Sequence, residues 1–145
     1  MSVDAAKEGF FKADHFAVAG ASKDPSKIGN KVMKWYKAHG FEPIPIHPKE
    51  VSIEGASTIS SVFDIYEPKT TSVSIITPPH VSINIVKTAL LELDVAGIWL
   101  QPGAENAELQ QYIDTMPDEL KNRVVIGGPC ILVEGAALAK AQGKL

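Results

Sequence analysis

His15-Phe-Ala-Val-Ala-Gly-Ala-Ser-Lys-Asp-Pro-Ser-Lys-Ile-Gly-Asn30 is the stretch that decides the fold. Its opening, His15–Gly20, is a short apolar run closed by a glycine, which reads as a buried strand. The chain then turns through Gly20-Ala21-Ser22 and Asp24-Pro25, and a helix opens near Lys27-Ile28-Gly29-Asn30. The first turn of a helix has unsatisfied N–H groups, and its dipole favours negative charge there. A strand feeding such a turn is therefore a place for an anionic ligand. Gly20 allows a tight turn, and Gly29 lets a ligand or a strand approach the helix backbone closely. The spacing is Gly20-x-Ser22 and then Gly29, not G-x-G-x-x-G, so the stretch also reads as an ordinary βα turn with glycines placed for packing.

Working outward, strands and helices alternate. Residues 4–13 form a short lead-in helix anchored by Phe10 and Phe11, and the first strand covers 15–20. Ile28, Val32, Trp35 and Tyr36 share one face of a helix over 26–39, with Asp24 or Ser26 as its cap, Pro25 in its first turn and Gly40 at its end. Residues 41–46 read as a second strand, whose prolines place it at a sheet edge. Residues 51–55 form an extended excursion and 59–65 a short helical turn. Further strands are expected at 72–76, 97–100 and 124–126, and helices at 80–94, 105–115 and 133–141, with Glu105 in the first turn of its helix. This order predicts an α/β, Rossmann-like three-layer fold: a mostly parallel five-stranded sheet with helices on both faces. In such sheets ligands bind beyond the carboxyl ends of the strands, at the point where strand order reverses. Four loops rich in Gly, Pro and small polar residues follow strands there: 20–30, 47–49, 77–80 and 127–130.

The whole chain narrows the classes. At 145 residues it has the length of one domain, 1–145, with a full core. A net charge of −3 without a long basic run argues against nucleic acid or an anionic membrane surface as partner. The single cysteine, Cys130, excludes an internal disulfide framework and points to a reducing compartment. No stretch of about 18 apolar residues predicts a membrane span, and the opening Met1–Gly9 is neither a secretory signal nor a transit peptide, so a cytoplasmic location is expected. No Cys/His cluster has metal-site spacing, and no catalytic Ser/His/Asp set can be assembled. His15 reads as structural, His39 as a charge at a helix end, and His80 as a helix cap or a phosphate contact.

The residues past the second strand bear on the ligand. A dinucleotide fold that takes NAD places Asp or Glu there for the ribose hydroxyls. This chain has His47-Pro48-Lys49, and a cation suits a ribose phosphate: that of NADP, or the 3′-phosphate of coenzyme A (CoA). Lys49 also reads as an ordinary solvated lysine.

Val18–Gly29 (VAGASKDPSKIG), Gly40–Pro48 (GFEPIPIHP), Ile53–Ala56 (IEGA), Ile76–Pro79 (ITPP), Ile98–Gly103 (IWLQPG) and Asn106, taken in order, resemble the stand-alone CoA-binding domain family. That family is similar to the N-terminal domain of the succinyl-CoA ligase alpha subunit. The resemblance spans about residues 14–135 and implies a domain that binds CoA without doing chemistry on it alone. It implies that Gly20, Ala21 and Ser22 line the pyrophosphate region, with Ile28 and Gly29 at the helix start. Lys49 then matches the basic position, while Thr77, Pro78 and Pro79 flank the pantetheine or adenine side; Lys27, His47, Pro48, His80, Pro129 and Cys130, in the same loops, complete the candidate ligand-binding residues. The chain departs from many bacterial members after the last strand, where Gly128-Pro129-Cys130 stands in place of Asp-Arg-Cys and is closer to the ligase subunit. The ligase subunit's phosphorylated histidine belongs to a second domain, so ligase activity is not expected. Cys130 reads as a small buried hydrophobe or as the partner of CoA in a mixed disulfide.

The expected function is thus a small CoA- or acyl-CoA-binding protein acting as sensor, carrier or partner subunit, with a small-molecule ligand and no nucleic acid or membrane partner. The alternatives are an NADP-dependent oxidoreductase and a non-catalytic oligomeric scaffold.

Overall fold

The computed structural model describes residues 2–145; of the opening segment, Met1 lies outside them. The elements run in the order α1 (Ser2–Phe10), β1 (His15–Ala19), α2 (Ile28–Ala38), β2 (Ile44–Ile46), β3 (Ser52–Ile53), β4 (Ala56–Ser57), β5 (Thr71–Ile75), α3 (Pro79–Lys87), β6 (Gly97–Leu100), α4 (Ala107–Asp114), α5 (Asp118–Lys121), β7 (Val124–Val125) and α6 (Ile131–Ala141). Five strands form one parallel sheet in the order β2-β1-β5-β6-β7. The order reverses between β1 and β5, so the ligand crevice of an open α/β sheet falls at their carboxyl ends.

Strand alternation builds the three layers. Phe16 and Val18 of β1, Trp99 of β6 and Val125 of β7 face one side and pack with Phe10 of α1, Tyr36 of α2 and Ile131 of α6. Ala17, Ala19, Val73, Ile75, Ile98 and Leu100 face the other and pack with Val86 of α3 and Leu109 and Ile113 of α4. The first side is an aromatic cluster in which Phe10, Phe16 and Trp99 pack edge-on or tilted at 5.6–5.7 Å. The polar side chains on that side of β5 are satisfied: Ser72 Oγ donates to the Phe10 carbonyl at 2.8 Å and Ser74 Oγ pairs with the Tyr36 hydroxyl at 2.8 Å. Burial pushes the Tyr36 phenol well above its usual pKa, against the pull of that bond.

Several boundaries differ from the sequence reading, each for a local reason. α2 starts at Ile28, with Lys27 rather than Asp24 or Ser26 in the cap position and no side-chain cap. Asp24 instead accepts from the Ser26 backbone at 2.9 Å and its hydroxyl at 2.8 Å, closing its own turn. Those two bonds hold the Asp24 carboxyl below the usual carboxylate range. The other end of α2 follows the expectation. Gly40 takes φ +84, its N–H reaches the Lys37 carbonyl, and Phe41 N–H reaches the Tyr36 carbonyl at 2.9 Å, a glycine-terminated helix end.

β2 is only three residues long and lies at the sheet edge, as its prolines require. The excursion at 51–55 belongs to an antiparallel hairpin, β3–β4, whose turn places Glu54 at φ 50 and Gly55 at φ 79. The helix expected over 80–94 is α3 continued by a π-helical turn at Thr88–Glu92. Glu105 precedes its helix, because Asn106 is the cap (Oδ1 accepting from Leu109 N–H at 2.9 Å); Glu105 reaches across to the Gly127 N–H at 3.1 Å. α6 begins two residues before the expected start, directly after Cys130. α5 had no expectation. No helix among the described residues is long and apolar enough to cross a membrane.

Candidate functional site

At the carboxyl ends of β1, β2 and β5 lies a cavity of about 490 Å³. Its existence follows from the small residues that end β1: Ala19, Gly20 and Ala21 line it and leave the space unfilled. Ile46, His47 and Pro48 form the β2 side, and Thr77 closes the β5 side. The remaining walls are Ser60–Phe63, where Ser61 caps a short helical turn by accepting from Phe63 N–H at 3.2 Å, and one flank of α3, formed by Val81, Asn84 and Ile85, with Thr88 beyond. The lining is mainly apolar, with hydroxyl, amide and imidazole groups among it, the usual make-up of a small-molecule site.

The loop from Gly20 to Asn30 is locked rather than open. Gly20 has φ +95, and a Cβ on Gly29 would stand 2.0 Å from the Gly20 carbonyl oxygen. Gly29 therefore exists to let β1's exit loop lie on the start of α2, and the close neighbour is the chain itself. Asn30 is fully buried; its Nδ2 donates to the Ser22 carbonyl at 2.9 Å and to Glu54 Oε2 at 2.8 Å. Its Oδ1 is buried without a partner among the described residues. Asn30 thus ties the loop to the β3–β4 turn, and Lys37 Nζ binds the Glu54 carbonyl from the same helix.

The second loop is ordered by His47. Its Nδ1 accepts from the backbone N–H groups of Lys49 and Glu50, both at 3.0 Å, which requires Nδ1 to be unprotonated. Lys23 of the first loop meets Glu50 of the second at 3.0 Å, spanning the space between them.

Of the residues singled out from sequence, the structure brings Gly20, Ala21, His47, Pro48 and Thr77 together around the cavity. Ser22 follows Ala21 in the loop after β1, Lys27, Ile28 and Gly29 stand at the start of α2, none of the four lining the cavity, and Lys49 is exposed on the turn after β2. Pro78 precedes α3 and Pro79 begins it. His80 does not cap α3: its ring is exposed and makes no hydrogen bond among the described residues, while Ser82 Oγ bonds Thr77 instead at 2.9 Å. His39 holds its helix end through Nδ1 and the Trp35 carbonyl at 2.8 Å, and His15 lies 3.6 Å from Glu67 at the opposite end of β1.

Pro129 and Cys130 stand apart from the cavity, before α6. The Pro129 carbonyl accepts from Trp99 Nε1 at 3.1 Å, and Cys130 Sγ receives a bond from Gln101 Nε2 at 3.3 Å. Gln101, which sequence reading treated as part of a turn, is buried and also accepts from Ile131 N–H at 2.8 Å, capping α6 from another strand. Gln101→Ala leaves that N–H without its partner. A loss of about 2 kcal/mol in urea-unfolding free energy is expected; an unchanged value would show that water replaces the amide at no cost. The sequence reading also missed Ser60–Phe63 and the α3 flank. Only the fold marks them, by leaving the apolar Phe63 and Val81 exposed beside the cavity.

Comparison with known proteins adds the following. A sequence model of the family described as CoA binding domain matches residues 14–136. The acetate–CoA ligase [ADP-forming] II alpha subunit of Pyrococcus furiosus is 33% identical over 90 residues, a match covering 61% of this chain and 19% of that subunit. A conserved hypothetical protein from Pyrococcus furiosus superimposes with a TM-score of 0.70 at 32% identity, covering 83% of this chain and 97% of the other. A hypothetical protein from Pyrococcus horikoshii OT3 gives 0.75 at 25% identity, covering 95% and 92%.

Proposed function

This chain belongs to the CoA binding domain family, and from that premise we propose that it is a small CoA- or acyl-CoA-binding protein whose nucleotide lies at the carboxyl ends of β1, β2 and β5. The observation that carries the reading is the 490 Å³ apolar cavity lined by Gly20 and Ala21, the loop that packs on Gly29 in the first turn of α2. CoA needs both: an apolar space for its base or pantetheine, and N–H groups with cations for its phosphates. Gly20–Ser22 and the start of α2 would hold the pyrophosphate. Lys49, Lys23 and Lys27 supply positive charge nearby. The chain of 145 residues acts as one binding domain, carrying no chemistry of its own. Its single cysteine fits residence in the reducing cytoplasm.

Calorimetric titration of the purified protein with CoA, dephospho-CoA, NADP and NAD tests this. CoA should bind, and removing the 3′-phosphate or making Lys49→Ala should each weaken it about fivefold, the scale of one exposed charge pair. Binding of NADP without CoA would overturn the reading and favour the reductase. Silence from all four ligands would leave an acyl-CoA specialist or the scaffold, and mass spectrometry of whatever co-purifies would decide between them.

A further inference from the structure

The two loops that flank the cavity are joined by one ion pair, and both of its ends stand on fixed backbone. Lys23 rises from a turn held by three bonds: Asp24 N–H to Ser22 Oγ at 3.0 Å, and the Ser26 N–H and hydroxyl to Asp24 Oδ1. Glu50 is held from below by its N–H on His47 Nδ1 and from above by Thr58 Oγ1, which donates to its carbonyl. Between them Lys23 Nζ meets Glu50 Oε1 at 3.0 Å. Neither side chain is buried; the lysine is 59% and the glutamate 37% exposed, so either can swing into water. Glu50 directly follows Lys49 in the chain, so the carboxylate that holds Lys23 belongs to the turn where a ligand's ribose phosphate is expected.

We propose that Glu50 is an internal stand-in for a ligand's phosphate monoester: it holds Lys23 across the mouth of the site in the ligand-free protein, and the arriving phosphate displaces it and takes Lys23. This rests on the CoA reading above and adds to it the role of Glu50, a contact that opposes binding. The physics is a competition for one ammonium. A phosphate dianion carries more charge than a carboxylate and draws Lys23 away, while Glu50 turns outward to escape the like charge. A ligand without that phosphate cannot replace the pair and leaves it in place. The pair therefore acts as a charge filter, admitting phosphorylated ribose in preference to the bare sugar.

Titration of CoA and dephospho-CoA into wild-type, Glu50→Gln, Lys23→Met and the double variant, at low and moderate salt, tests the exchange. Glu50→Gln keeps the shape and removes the competitor. It should tighten CoA about three- to fivefold at low salt and dephospho-CoA by much less, with the gain shrinking as salt screens the pair. Lys23→Met should weaken CoA about three- to tenfold and reduce the gain from Glu50→Gln. CoA binding that is unchanged or weaker in Glu50→Gln, or tightened equally for both ligands, overturns the exchange while leaving the CoA reading intact. Wild-type protein that binds neither ligand overturns the CoA reading itself, and the exchange with it. All these positions are surface ones, and urea midpoints near wild type confirm that binding alone is being read.

Discussion

Gly29→Ala should cost about 3 kcal/mol of stability and abolish measurable CoA binding. The methyl group would stand 2.0 Å from the Gly20 carbonyl oxygen, 3.0 Å from its carbonyl carbon and 3.2 Å from Ala21 Cα. All three are backbone atoms, so no rotamer change relieves the overlap. Either the Gly20–Ser22 loop lifts from the helix or the first turn of α2 moves. Both pull on Asn30, the next residue, whose amide holds the Ser22 carbonyl at 2.9 Å and Glu54 at 2.8 Å. A displaced Asn30 leaves more than its Oδ1 unpaired in a buried place, which adds to the penalty. Gly9→Ala in α1 is the control: nothing lies within 4 Å of its added methyl, so the substitution should be neutral or stabilise the protein by up to about 1 kcal/mol. Urea unfolding of both variants, with CoA titration of whichever folds, reads the prediction. A wild-type midpoint for Gly29→Ala would mean that the loop is free to move and that the locked cradle does not exist.

That overlap also marks how far the sequence could be read. The stretch from His15 to Asn30 announces a strand, a turn and a helix, because an apolar run and a 3.6-residue spacing are local properties. The parallel sheet follows from the alternation of such stretches, and the family resemblance agrees with it. What Gly29 meets is not local: a glycine in a first turn serves a ligand and a packed loop equally well, and only the fold places the Gly20 carbonyl against it. The same holds for Gln101. Its neighbours Pro102 and Gly103 make it look like turn chemistry, whereas its amide reaches residues 29 and 30 positions away, at Cys130 and Ile131. The Lys23–Glu50 pair joins two loops separated by a helix and a strand, and no spacing rule relates them.

The cavity was half legible for a related reason. Loops that follow parallel strands can be named from strand positions, and Gly20, Ala21, His47, Pro48 and Thr77 were found in that way. The opposite wall comes from Ser60–Phe63 and from α3, elements whose apolar residues have the spacing of ordinary core. Ile85 and Val86 are sequence neighbours, yet Val86 is fully buried in the core and Ile85 lines the cavity. Hydrophobic periodicity puts Val86 on one face with Ile83, Leu90 and Leu93 and leaves Ile85 off it; it does not show that an apolar residue beside that face borders a cavity.

The α3 wall therefore gives the most direct test of where the ligand sits. Val81→Trp should reduce CoA affinity about a hundredfold, equivalent to ~2.7 kcal/mol, with folding intact. Val81 is 37% exposed at the start of α3 and borders the cavity, so a larger side chain has open space to enter. The cavity it borders is apolar and about 490 Å³, so an indole gains contact by lying inside it and occupies the volume a base or pantetheine needs. The urea midpoint should stay at or rise above wild type, which separates blocked binding from unfolding. Val133→Trp on α6 is the matched control, because Val133 is 80% exposed and does not line the cavity; it should bind CoA as the wild type does. The two variants divide the molecule into its two layers of helices. If Val81→Trp bound CoA normally, the ligand would have to sit outside this cavity, and the start of α6 beside Gln101 and Cys130 would become the place to look. If it bound none while Val133→Trp bound fully, the small residues Ala19, Gly20 and Ala21 would have their explanation: they end β1 without bulk because the ligand, and not a side chain, completes the core at that end of the sheet.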